Sequence, residues 1–189
     1  LAISLAQAGH KVGLLDADVY GPDIPRMMDL SDDKLQWSDD DKMLPSENFG
    51  IKMMSVGLTT PKRDTPLVWR SSVAVSALIQ FLEDVAWGEL DYMVIDMPPG
   101  TGDAQLTLAQ SSKLSGSIIV STPQDVALTD ARKGINMFKR VNVPLMGLVE
   151  NMSYFICDNC NEKHFIFSND GAKKEAEKLF DLVFNLKCN

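Results

Sequence analysis

The chain has 189 residues, of which 45% are hydrophobic and 23% charged, and its formal net charge is −8. This composition is typical of a globular protein and predicts a single domain over residues 1–189. The negative net charge argues against non-specific nucleic-acid binding, which needs basic patches. No apolar run reaches the roughly 20 residues that a transmembrane helix needs. We therefore expect neither a nucleic-acid partner nor a transmembrane segment.

Strand-like and helix-like patterns alternate along the chain. The predicted elements are a helix over 1–9, strands over 12–15 and 51–55, a helix over 71–87, a strand over 92–95, a helix over 105–110, a strand over 117–121, a helix over 125–140, a strand over 145–149, a helix over 173–180 and a strand over 182–184. The polar, acidic stretch over 31–42 is predicted to be a solvated loop. This alternation predicts an α/β fold with a mostly parallel sheet and helices on both faces.

The sequence DMPPGTGD at residues 96–103 directly follows the predicted strand over 92–95. A carboxylate at the carboxyl end of a buried strand lies where open α/β sheets bind their ligands. Asp96 is suited to hold a magnesium ion through water, and the bare backbone of the glycine-containing loop can approach a phosphate. The alternative is an acidic residue that ends a strand before a turn. The complete octet favours a nucleotide site.

Two further strand ends carry polar candidates. Asp16 and Asp18 follow the strand over 12–15, and a spacing of two places both on the same side of an extended chain. One carboxylate could then approach magnesium and the other an attacking water, although turn-forming Asp residues are an alternative. Asn151 follows the strand over 145–149. Its amide could recognise a purine edge or form an Asx-turn.

Cys157 and Cys160 form a C-x-x-C motif within 153–168, a segment that we interpret as an insertion. A structural zinc site needs four ligands, and only His164 lies near in sequence, where we interpret it as a hydrogen-bonding neighbour. A thioredoxin-like pair should start a helix after the first strand, and none is predicted here. A third possibility is an iron–sulfur cluster or zinc ion on a two-fold axis, with two cysteines from each subunit. The fourth is a pair of buried, inert cysteines.

The cysteine content bears on the compartment. With Cys188 the chain has three cysteines, an odd and small number that does not form a disulfide scaffold and that favours a reducing compartment.

The motifs together resemble the Mrp/ApbC family, which consists of deviant-Walker P-loop ATPases related to MinD that carry iron–sulfur clusters. The resemblance rests on DADVYGPDIP at 16–25, VWR at 68–70, DMPPGTGD at 96–103, STPQDVAL at 121–128, and ENMS at 150–153 with the C-x-x-C after it. It implies a three-layer P-loop NTPase-like fold. Mitochondrial members of this family help assemble respiratory complex I.

The resemblance also implies roles for individual residues and a set of cofactors. The cofactors are ATP, magnesium and a 4Fe–4S cluster shared across a homodimer. The implied roles are a catalytic Asp18 that positions the attacking water, Asp16 and Asp96 at magnesium, Gly100 and Gly102 in the mobile switch II loop, Asn151 at the adenine, and Cys157 and Cys160 at the cluster.

The function implied by the resemblance is an ATP-dependent 4Fe–4S carrier that delivers clusters to apoproteins, with complex I subunits as candidate recipients. Its compartment would be the mitochondrial matrix in a eukaryote and the cytoplasm in a bacterium. The alternatives are a MinD/ParA-like ATPase switch without a cluster, and an inactive fragment or isoform.

The sequence also differs from the family pattern at several points. The family's first strand and Gly-Lys-Ser-Thr phosphate loop are expected before Leu1, and its last strand and helix after Asn189, so the sequence as given predicts poor ATP hydrolysis. Ser71 and Ser72 replace a usual Gly-Pro, which leaves close backbone approach at that point in question.

Overall fold

A computed structural model describes residues 1–59, 71–168, 171–179 and 183–187. The VWR motif at 68–70 and Cys188 lie outside these described residues. The chain divides into two compact units, which are described separately below. The first unit comprises Leu1–Pro99 with Asp103–Leu108, and the second comprises Gly100–Gly102 with Ala109–Asn189. The single-domain organisation stays a prediction.

The described residues form α-helices and β-strands in alternation, together with a 3₁₀ helix at Val56–Thr59. The helices are α1 (Ala2–Gln7), α2 (Ile24–Met27), α3 (Ser71–Glu83), α4 (Asp103–Ser111), α5 (Asp125–Arg140) and α6 (Gly171–Leu179). The strands are β1 (Val12–Asp16), β2 (Gln36–Trp37), β3 (Met43–Leu44), β4 (Ser46–Asn48), β5 (Ile51–Ser55), β6 (Tyr92–Asp96), β7 (Ser117–Ser121), β8 (Leu145–Ile156), β9 (Lys163–His164) and β10 (Val183–Lys187).

The first unit is built on a four-stranded sheet in the order β4-β5-β1-β6. Strand β1 pairs in parallel with β5 and β6, while β4 pairs antiparallel with β5. Every residue of β1 is buried, as expected for a central strand with an unbroken apolar run. Helix α1 packs against β1 and β5, and α3 contributes the buried side chains of Ala74, Leu78 and Phe81 to the same core.

Two predictions for the first unit were wrong in detail. The predicted loop over 31–42 contains β2, which pairs antiparallel with β3. The predicted helix over 71–87 ends at Glu83, although the apolar pattern continues through Val85 and Trp87. Both of these side chains are buried outside the helix: Val85 bridges to Met43, and the indole Nε1 of Trp87 donates to the Phe81 carbonyl at 2.9 Å. Apolar periodicity alone therefore overestimated the length of this helix.

The second unit contains a sheet in the order β10-β8-β7, with all three strands parallel and β9 antiparallel to β8. Helix α5 packs against β7 and β8, α6 packs against β8 and β10, and the two helices also contact each other. They therefore lie on one face of the sheet. On the opposite face Ile118 and Val120 are exposed, so the described part of this unit does not show the predicted helices on both faces.

Strand β8 is 12 residues long, whereas a strand over 145–149 was predicted. The additional length is stabilised by β9, which pairs with Phe155 and Ile156, and by β10, which reaches Tyr154. The segment predicted to be an insertion over 153–168 is thus partly the far end of β8 and the hairpin that it forms with β9. No helix in the described part of the chain is long and apolar enough to cross a membrane.

Candidate functional site

The carboxyl ends of three parallel strands in the first unit carry polar residues at the same level. Asp16, Ser55 and Asp96 are the last residues of β1, β5 and β6, and Asp16 is in register with both of the others. The Ala17 amide donates to the Asp96 carbonyl at 2.9 Å, which ties the exit of β1 to β6. Asp16 and Asp96, to which the resemblance assigns a magnesium ion, therefore lie side by side on neighbouring strands.

Asp16 is almost completely buried, with 1% of its surface exposed. One carboxylate oxygen accepts a hydrogen bond from Ser55 Oγ at 2.9 Å, and the other accepts from the Asp18 amide at 3.2 Å. Burial raises the pKa of Asp16 to about 6; the negative charge of Asp96 adds to this increase, while the hydrogen bonds from Ser55 and Asp18 oppose it. A charged Asp16 is therefore unfavourable unless a cation lies nearby.

Asp18 and Asp96 complete an acidic group at this edge of the sheet. The Oδ1 atom of Asp18 accepts from the amides of Tyr20 and Gly21, both at 3.2 Å, as in the turn that was considered as an alternative. Its Oδ2 atom accepts no hydrogen bond from the described residues. Asp96 is exposed, yet partial desolvation of its carboxyl group and the charge of Asp18 raise its pKa. A cation would relieve both unfavourable charges.

The loop after β6 is anchored by a residue that the sequence analysis missed. Gln105 on α4 is buried, and its Nε2 atom donates to the carbonyls of Pro98 at 3.3 Å and Pro99 at 2.8 Å. The sequence signal that could have identified this tether is a glutamine near the start of a short helix that follows two prolines. Gly100 adopts a φ of 93°, a conformation that favours glycine. Gly102 follows it in the same loop, directly before α4.

Asn151 lies inside β8 and not after the end of a strand, so its predicted position was wrong because the strand is longer. Its Oδ1 atom accepts from the Met152 amide at 2.9 Å, and Met152 has a φ of 54°. The Nδ2 atom donates to none of the described residues. The side-chain amide therefore makes a local turn-like bond through its oxygen, while within the described part of the chain its NH₂ group has no acceptor.

Glu150 is a second residue that the sequence analysis missed. It is 2% exposed and accepts from Ser153 Oγ at 2.8 Å and from the Ala172 amide, in the first turn of α6, at 2.7 Å. A carboxylate that accepts backbone N–H groups at a helix start is stabilised by the helix dipole. Glu150 thus fixes α6 on the strand that carries Asn151. A buried role for a glutamate is not visible in composition or periodicity.

The cysteine pair lies at the tip of the hairpin formed by β8 and β9. The Cys157 amide donates to the Glu162 carbonyl at 3.0 Å, and the Asn161 amide donates back to the Cys157 carbonyl at 2.8 Å. Asn161 has a φ of 58°, which Asn tolerates better than most residues. Cys157 is half-buried and Cys160 is exposed, so the hypothesis of two buried, inert cysteines was wrong. No helix begins at the pair, since residues 161–168 contain only β9 and turns, which argues against a thioredoxin-like motif.

Two features of this tip are suited to metal chemistry. The Cys160 amide, with smaller contributions from the Asn159 amide and the Cys160 thiol, lowers the pKa of Cys157 through hydrogen bonds to its sulfur. The two Sγ atoms and one ring nitrogen of His164 all lie within 4.8 Å of one another. Among the described residues this is the one group of three or more His, Cys, Asp or Glu side chains whose ligand atoms lie this close together. The carboxylates of Asp16, Asp18 and Asp96 are therefore farther apart than these three ligands.

Comparison with known proteins agrees with this geometry. A family model described as ParA: NUBPL iron-transfer P-loop NTPase matches residues 1–185. The "Iron-sulfur protein required for NADH dehydrogenase, mitochondrial" of Arabidopsis thaliana is 56% identical over 179 residues, which are 94% of this chain and 56% of that protein. The "Iron-sulfur cluster carrier protein" of Aquifex aeolicus is 48% identical over 187 residues, 99% of this chain and 50% of that protein. The chain thus spans about half the length of these curated relatives.

A solved structure is similar over the whole chain. It is a nucleotide-binding protein from Archaeoglobus fulgidus in complex with ADP, with cobalt found by PIXE. It matches with a TM-score of 0.84 and 38% identity over 100% of this chain and 73% of that chain. The resemblance inferred from the motifs is confirmed: this chain belongs to the NUBPL iron-transfer P-loop NTPases of the ParA family.

Proposed function

We propose that this protein binds a 4Fe–4S cluster through Cys157 and Cys160 and delivers it to apoproteins in an ATP-dependent cycle. The observation that carries this proposal is the cysteine pair at the exposed tip of the β8–β9 hairpin. Hydrogen bonds that lower the pKa of Cys157 favour the thiolate that ligates iron. Exposure suits a cluster that is handed to another protein better than one that is permanently enclosed.

The cluster is proposed to bridge a homodimer. A 4Fe–4S cluster takes four thiolates, whereas one hairpin tip offers two. Two copies related by a two-fold axis would supply the complete set, and a hairpin tip is easily approached by the same tip of another subunit. Cys157 and Cys160 would then be both cluster ligands and the centre of the dimer contact.

The nucleotide is proposed to bind at the strand ends. Asp16 and Asp96 fit a hard divalent cation such as magnesium, because both carboxyl groups have raised pKa values that a positive charge would relieve. The magnesium would neutralise phosphate charge when bound. Oδ2 of Asp18, which accepts no hydrogen bond from the described residues, would orient the attacking water.

The remaining nucleotide contacts are assigned to other residues. Nδ2 of Asn151, which donates to none of the described residues, would donate to an adenine. Gly100 and Gly102 would form the loop that responds to the phosphates, and the ADP bound to the Archaeoglobus relative supports a nucleotide here.

The recipients are proposed to be apo iron–sulfur proteins. The printed name of the Arabidopsis relative, which is required for NADH dehydrogenase, supports subunits of respiratory complex I as recipients. The corresponding compartment is the mitochondrial matrix in a eukaryote and the cytoplasm in a bacterium.

The test is anaerobic reconstitution of the chain with iron and sulfide. We expect about one 4Fe–4S cluster per two chains, measured by iron and sulfide content and visible absorption, together with dimer formation. Cys157→Ala and Cys160→Ala should each abolish the cluster, while Cys188→Ala, the matched control at the third cysteine, should retain it. A stable cluster in the Cys157→Ala/Cys160→Ala double variant would refute the proposal and leave the alternative of an ATPase switch without a cluster.

A further inference from the structure

His164 is brought to the cysteine pair by strand pairing. In the β8–β9 hairpin, His164 is in register with Phe155 and Lys163 with Ile156, one residue before Cys157. The ladder thus fixes the backbone of His164 beside the tip, and one ring nitrogen lies within 4.8 Å of both sulfur atoms. The spacing in sequence is C-x-x-C-x-x-x-H.

We propose that Cys157, Cys160 and His164 of a single chain bind one divalent ion of the zinc class, with the fourth coordination position open. This site goes beyond the proposed cluster, because it uses a histidine that the cluster does not need and is complete within one protomer. Two thiolates and one imidazole are the soft and borderline ligands that such an ion prefers. Two thiolate charges also neutralise the charge of a divalent ion.

The observed distances fit this coordination. Bonds of about 2.3 Å to sulfur and 2.0–2.1 Å to nitrogen in a tetrahedral site place the ligand atoms about 3.5–3.8 Å apart. In the structure the ligand atoms lie within 4.8 Å of one another. Rotation of the three side chains, which are half-buried or exposed, brings the ligand atoms to the separation that a bound ion requires. Three protein ligands with one open position also match the ligand number of zinc sites that exchange a water or a substrate.

The number of ligands indicates that the ion and the cluster are alternative states. Two chains supply four thiolates, which already satisfy a 4Fe–4S cluster and leave both imidazoles unused. A mononuclear ion in each chain uses all three side chains. Since both states need the same two sulfur atoms, an ion bound at this site should block cluster loading.

The test uses cobalt(II) as a spectroscopic probe on the metal-free, reduced chain under argon. We expect one cobalt per chain in a monomeric complex, with thiolate-to-cobalt charge-transfer absorption and the intense visible bands of tetrahedral cobalt. Stoichiometric zinc should displace cobalt and should prevent reconstitution of the cluster. One cobalt per two chains, bound only in a dimer, would overturn the proposal.

The histidine is tested by substitution. His164→Ala should weaken cobalt binding at least about tenfold and shift the visible bands, and His164→Cys should restore tight binding through a third soft ligand. His10→Ala is the matched control, since His10 is the other histidine of the chain, and it should bind cobalt as the unaltered chain does. Unchanged affinity and spectrum in His164→Ala would show that the histidine is not a ligand.

The two proposals fail separately. If only the histidine site is wrong, His164→Ala binds cobalt normally and the chain still forms the cysteine-dependent cluster. If only the cluster is wrong, iron and sulfide give no cluster while cobalt binding still depends on His164.

Discussion

Replacing Asp16 by asparagine should stabilise the metal-free protein at neutral and alkaline pH. The carboxyl group is buried, and each of its two oxygens already accepts a hydrogen bond, from Ser55 Oγ and from the Asp18 amide. Asparagine has the same shape. Its oxygen can accept from the Asp18 amide, and its NH₂ group can donate to Ser55 Oγ. The substitution therefore removes the charge while it preserves the packing and the polar contacts.

The magnitude follows from the pKa of Asp16, which rises from 3.8 to about 6 in the folded protein. That difference corresponds to about 3 kcal/mol, because one pKa unit is about 1.4 kcal/mol. The unfolded chain loses its proton first as the pH rises, so the folded state loses stability between about pH 4 and pH 6. We expect Asp16→Asn to raise the free energy of unfolding by about 1.5 kcal/mol at pH 5 and about 3 kcal/mol at pH 8.

The assay is urea unfolding in the presence of EDTA, followed by tryptophan fluorescence. Trp37 and Trp87 lie in the described part of the first unit, which contains Asp16, so their fluorescence reports on the unfolding of that unit. Asp40→Asn, which removes an exposed carboxylate of the same unit, is the control and should change stability little at either pH. An equal gain at pH 5 and pH 8 would refute the reasoning, because it would show an effect of shape and not of charge.

Two further predictions concern the second unit. Glu150→Ala should lower the free energy of unfolding by about 2 kcal/mol, since it leaves the Ala172 amide buried without its acceptor, while the Ser153 hydroxyl keeps its bond to the Glu150 carbonyl at 2.9 Å. Urea unfolding followed by circular dichroism measures the loss, and a decrease no larger than that of the exposed control Glu162→Ala would contradict it. In the metal-free chain, iodoacetamide should alkylate Cys157 with a pH midpoint below that of an unstructured cysteine peptide, because amide hydrogen bonds favour its thiolate. Mass spectrometry across a pH series measures this midpoint, and one equal to that of the peptide would show that those bonds are too weak to matter.

Strand ends were the part of the site that the sequence predicted well. Apolar runs identify both strands. β1 is buried throughout, whereas β6, expected to be buried, is the last strand in the described sheet order and packs only partly buried side chains against the core. Parallel pairing then brings Asp16 and Asp96 to the same level. Local patterns sufficed here because the ligand-binding edge of an α/β sheet is defined by where its strands stop.

The parts that were missed depend on contacts between distant segments. Asn151 was expected after a strand, but pairing with β9 and β10 extends β8 past it. Glu150 is buried because α6 supplies a backbone donor 22 residues away. The approach of His164 to the cysteines is likewise set by the hairpin register, which spacing along the chain does not reveal.

The irregularity within β8 has a mechanical consequence. The strand does not run evenly from Leu145 to Ile156: Met152 has a φ of 54°, and the pairing with β10 shifts register between Glu150 and Tyr154. Strand β7 pairs with β8 only up to Glu150, whereas β10 and β9 pair with residues beyond Asn151. Asn151 therefore lies at an irregularity between the part of β8 that is enclosed by two strands and the part that leads to the cysteine pair. A ligand that changed the backbone at Asn151 would change the direction in which the cysteine-bearing hairpin leaves the sheet.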